Sequence, residues 1–106
     1  MTSASPYPRA GAKILLERRE VSHDGDRAEY QAYIYTPSRR YELCADLSSD
    51  GSASLTPRGE QADPAAYKAL ENVAKSIARA APRKREAGLP PWPQRIHRWR
   101  AAPGRS

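Results

Sequence analysis

Cysteine occurs once, at Cys44, so no disulfide can form within the chain and a reducing compartment is the natural setting. The longest aliphatic run, Ile14-Leu15-Leu16, is far too short to span a bilayer. The opening stretch "MTSASPYPRAG" lacks the apolar core of a signal peptide. These absences lead to the expectation of a soluble, cytoplasmic protein with no membrane partner. No glycine-rich run precedes a helix, which removes the phosphate-cradling loop of nucleotide-binding enzymes.

Metal and catalytic constellations are equally sparse. Zinc sites take three or four His, Cys or carboxylate ligands, whereas this chain has two His and one Cys, far apart in sequence. His23, Asp24 and Asp26 stand together, but in "SHDGD", where Asp and Gly are what a tight turn requires and His is tolerated. Cys44 has no histidine near it in sequence and reads as a half-buried strand thiol rather than a nucleophile. The expectation is a non-enzymatic protein without cofactor, metal or catalytic residues.

What is present is an uneven charge. The 106 residues carry a formal charge of +6. Residues 1–78 hold 10 Lys/Arg against 11 Asp/Glu, whereas residues 79–106 hold 8 Lys/Arg against Glu86 alone. A near-neutral body thus precedes a tail of net charge +7, the pattern of an interaction segment.

Along the chain, residues 1–11 predict a flexible N-terminal arm. "AKILLERREV" (Ala12–Val21) has good helix formers, but its apolar residues lose helical spacing after one turn and an Asp-Gly turn follows, so it is expected to be a strand. "AEYQAYIYT" (Ala28–Thr36) is a second strand, stopped by Pro37. "RYELCADL" (Arg40–Leu47) alternates strictly and predicts a third. After another Asp-Gly turn, Ala53–Thr56 makes a short fourth. "DPAAYKALENVAKSIARAA" is the clearest helix, with Asp63 as N-cap, Pro64 at the first position and an apolar stripe of Tyr67, Leu70, Ala74, Ile77 and Ala81. Pro82 is expected to end it.

The fold class expected is α+β, a four-stranded antiparallel meander followed by one helix on one sheet face, with residues 12–81 as the β-β-β-β-α domain. Ile14, Leu16, Tyr30, Ile34, Leu43 and Leu47 should lie beneath the helix. Residues 82–106 form a basic tail containing prolines and both tryptophans, expected to be removable without unfolding the domain. Within it Trp92, Ile96 and Trp99, spaced 4 and 3, suggest a short helix over 94–100. The element order resembles that of the transcriptional-coactivator type of single-strand binder, with no shared motif.

Two surfaces carry functional expectations. Tyr33 and Tyr35, two apart on one strand, share the face opposite Tyr30 and Ile34, beside Arg40. Such aromatics can stack on unpaired bases, or be buried in a homodimer or under the tail. The tail offers Arg83, Lys84, Arg85, Arg95, Arg98 and Arg100 to phosphates, with Trp92 and Trp99 to stack. The same stripe would equally serve as a tryptophan-anchored peptide docking on a partner protein. Nucleic acid, single-stranded if the tyrosines stack, is therefore the first expected partner, and a partner subunit the second.

Overall fold

A computed structural model describes residues 10–100, and the arm predicted over residues 1–11 lies outside them except for its last two. Five strands, β1 (Ala12–Val21), β2 (Arg27–Tyr35), β3 (Arg40–Ser48), β4 (Ala53–Pro57) and β5 (Arg95–Arg100), accompany one helix, α1 (Pro64–Glu86). The sheet order is β4-β3-β2-β1-β5, and every neighbouring pair is antiparallel. The four-stranded meander and its covering helix are as the sequence predicts; the fifth strand is additional.

The meander forms because each strand alternates. In β1, Ala12, Ile14 and Leu16 are buried while Lys13, Leu15 and Glu17 face the other way. The pairings Ile14 with Ile34 and Leu16 with Ala32, then Ala32 with Leu43, carry one apolar layer across three strands. The six core residues expected from the sequence are each 1% exposed or less. Both Asp-Gly turns are built alike. Asp24 accepts from the backbone N–H of Asp26 and from the Ser22 hydroxyl, as Asp50 does from the N–H and hydroxyl of Ser52. These bonds hold both carboxyls below their ordinary pKa. Gly25 and Gly51 supply the positive φ that such turns need. Asp24 is thus engaged in the turn itself.

The N-terminus of α1 is capped as expected, with the Asp63 side chain accepting from the Ala66 N–H at 2.9 Å. Its end is not. Pro82 lies inside the helix on an exposed side, and α1 runs on to Glu86. The terminator is Gly88 at φ 76°: Leu89 N–H donates to the Lys84 carbonyl and Gly88 N–H to the Arg85 carbonyl, a Schellman closure. Tertiary contacts hold the turn past the proline. Ala81 is buried, and Arg85 bonds the Asp26 carboxylate and the Gly25 carbonyl.

The length of α1 follows from topology. β4 and β5 lie at opposite edges, four strand spacings or about 19 Å apart. A helix of 23 residues, about 34 Å long, is more than long enough to cover that distance.

Residues 82–100, the described part of the expected tail over 82–106, are not separable from the domain. Trp92 is 1% exposed and its Nε1–H donates to the Gly25 carbonyl at 2.8 Å. The Tyr30 hydroxyl donates to the Pro93 carbonyl at 2.6 Å, and the Arg18 guanidinium to the Trp92 carbonyl at 2.8 Å. The segment over 94–100, expected as a short helix, is instead β5, paired with β1 from Glu17–Arg95 to Ala12–Arg100. Without it, β1 would be a ten-residue edge with unsatisfied backbone groups. That demand outweighs the weak helical spacing of three apolar residues.

Burial raises the Tyr30 phenol to about 12, with the Arg18 charge pulling the other way. The folded chain therefore keeps a proton that the unfolded chain releases near pH 10. The contribution of this group to stability is full below pH 10 and is lost as pH rises from 10 to 12, by about 2 kcal/mol. Urea midpoints measured across that range should drop for the native chain and drop less for Tyr30→Phe. Equal drops would show that other groups dominate.

Candidate nucleic-acid interface

One sheet face is covered by α1; the other carries no element among the described residues. Strand register places on this open face Lys13, Leu15 and Glu17 of β1, Gln31, Tyr33 and Tyr35 of β2, Arg40, Glu42 and Cys44 of β3, and Arg95, His97 and Trp99 of β5. Tyr35 is paired with both Arg40 and Lys13, and Lys13 in turn with Trp99. A row of alternating cations and aromatics therefore crosses four strands.

The tyrosines are where the sequence predicts them. Their ring centroids are 6.2 Å apart in a stacked arrangement, and the Arg40 guanidinium sits 5.6 Å from the Tyr33 centroid. Trp99 is 62% exposed, the most exposed of the large hydrophobics among the described residues. β5 thus delivers to the open face the one indole that the core does not use. The strand alternation that separates Trp99 from Ile96 could not operate on a helix.

The other expected site residues disperse. Trp92 belongs to the core, a correction that removes it from any binding surface. Arg83, Lys84 and Arg85 lie in the last turn of α1, and Arg85 is paired with Asp26 at 3.2 Å. Arg95 pairs with Glu17 at 2.5 Å on the open face. Arg98 is exposed on β5, opposite Ile14 and so directed to the other side of the sheet. Arg100 pairs through its backbone with Ala12; its side chain lies outside the description. The basic segment is thus not one surface. Lys13, Leu15 and His97 join the site unannounced, although the alternation of β1 already opposes Lys13 and Leu15 to Ile14 and Leu16.

Towards the other end the face changes sign. Glu29 is opposite both Glu20 and Asp46. Cys44, half-buried, donates through Sγ to a Glu29 oxygen at 3.2 Å. Burial first, then that bond and the charges of Asp46 and Glu29, push its thiol up to about 11, so it stays protonated near neutral pH and is a poor nucleophile. Glu29, Cys44 and Asp46 place their ligand atoms within 4.8 Å of one another, a proximity the sequence spacing of Cys and His could not show. Between the two ends, Gln31 is only 7% exposed and bridges strands, accepting from Arg19 and donating to Glu42 and the Leu43 carbonyl.

The class of protein these features define is a small α+β domain: an antiparallel sheet, one covering helix and one open aromatic face. Compared with known protein families, with curated proteins and with solved structures, the chain matches none. Among the described residues no helix is long and apolar enough to cross a membrane.

Proposed function

We propose that the chain is a non-enzymatic protein that binds single-stranded nucleic acid on its open sheet face. The observation that carries this reading is the placing of Trp99 with Tyr33 and Tyr35 on that face, interleaved with Lys13 and Arg40. Aromatic rings stack on any base, and adjacent cations hold the phosphates between them. Bases within a duplex hide their faces, so single strands are the matched ligand.

With Lys13 and Arg40 reaching phosphate, log K should fall against log salt with a slope of about −1.4, at ~0.7 per contact. Titration of single-stranded and duplex oligonucleotides of about twelve nucleotides at two salt concentrations tests this. Single strands should bind more tightly at both. No measurable binding at low salt would end the reading.

A second reading, a tryptophan-anchored contact with a partner subunit or a second copy of the chain, is favoured by the exposure of Trp99 beside half-buried Leu15. It retains Trp99 alone of the two indoles. Sedimentation over a wide concentration range would reveal a dimer that Trp99→Ala disrupts.

A further inference from the structure

Resting on that reading of the open face, we infer that the single strand crosses the sheet at right angles to the β-strands, along the Arg40–Tyr35–Lys13–Trp99 row, and that the acidic end of the same face limits its footprint to about four nucleotides. The row is contiguous by register, since each of its members is the direct cross-strand partner of the next. It spans three strand spacings, about 14 Å. Its order is cation, aromatic, cation, aromatic, which suits alternating phosphate and base contacts. The next row, Glu42–Tyr33–Leu15–His97, adds one more ring at Tyr33 and little net charge.

Along the β-strands the path closes. In the row beyond, Glu17 is neutralised by Arg95, and Gln31 is engaged with Arg19 and Glu42. Farther on, Glu20, Glu29 and Asp46 line a groove of about 660 Å³. Arg27 is the one cation among the described residues lining it, against those three carboxylates. Glu29 lies six residues from Tyr35 on β2, about 20 Å at ~3.4 Å per residue. That is more than two Debye lengths at physiological salt, each about 8 Å. The carboxylates therefore do not weaken binding at the aromatic row, yet they repel any phosphate that reaches them. A strand laid across the sheet avoids them and leaves past Arg40 on one side and past Trp99 at the β5 edge on the other.

The salt slope counts phosphates and so measures the footprint independently of how many registers a long oligomer offers. Homopolymeric single strands of about two to about twelve nucleotides would be titrated against the native chain and the Glu20→Gln/Asp46→Asn variant, both positions being exposed. For the native chain the slope should reach about −1.4 by about four nucleotides and stay there. Affinity should then rise about ninefold up to twelve nucleotides, from the added registers alone. The neutralised variant should match it on the short strand and show a slope steeper by about 0.7 on the long one, from one further phosphate held by Arg27. A native slope that keeps steepening with length, or a variant indistinguishable on the long strand, overturns the inference while leaving the binding face intact. Absence of binding at every length overturns both.

Discussion

Trp92→Ala is expected to cost about 3–5 kcal/mol of stability, as fully buried aromatics do when truncated. Trp92 is 1% exposed and is the largest fully buried side chain among the described residues. Its loss leaves a cavity, and it also strips the Gly25 carbonyl of its indole donor. The Gly25 turn, the end of α1 and the entry to β5 meet at this side chain, since Arg85 and Trp92 bond the same carbonyl. For a small domain, whose whole stability starts at about 5 kcal/mol, that is most of what there is. Urea unfolding followed by circular dichroism would measure it. Trp99→Ala, at an exposed position, should change stability by less than about 1 kcal/mol. Removal of residues 88–106 should leave no cooperative transition, because it takes Trp92, β5 and the glycine that closes α1 together. Equal and small effects of the two tryptophan changes would show that the buried Trp92 is dispensable to the fold.

Tyr33→Ala/Tyr35→Ala/Trp99→Ala is expected to weaken single-strand binding at least about a hundredfold, with the salt slope unchanged. Each stacked ring contributes about 1–3 kcal/mol, and a hundredfold corresponds to about 2.8 kcal/mol. Coupling is expected between Tyr33 and Tyr35, whose rings stack on one another, so the three effects should not add fully. Stacking releases few ions, whereas Lys13→Gln or Arg40→Gln should flatten the slope by about 0.7 each. Filter binding or anisotropy at several salt concentrations separates the two kinds of loss. Both tyrosines are half-buried, so the far-ultraviolet spectrum of the variant must match that of the native chain. Unaltered affinity in a folded triple variant would remove the aromatic row from the site.

The sequence by itself determined the elements whose signals are local. Alternation within β1 to β3 assigned their faces, so Tyr33, Tyr35 and Arg40 were legible as one surface, and so was the core beneath α1. Asp63 and Pro64 marked the start of the helix through bonds made within one turn. Gly88 followed by Pro90 carried the signal for its end, which the more conspicuous Pro82 obscured. The fate of the last quarter was decided by tertiary structure. Arg18 and Trp92, which bond one another, are 74 residues apart, and β5 is a strand because the distant β1 offers it an edge. Local spacing of Trp92, Ile96 and Trp99 fits a helix as well as a strand approached from the core. Only the pairing partner breaks that tie, and it sends one indole inward, the other to the open face, and the arginines between them to opposite sides of the sheet. Strand pairing is non-local in sequence, so a basic segment of one composition becomes part of the core, an edge strand and part of the open sheet face only when the chain has folded.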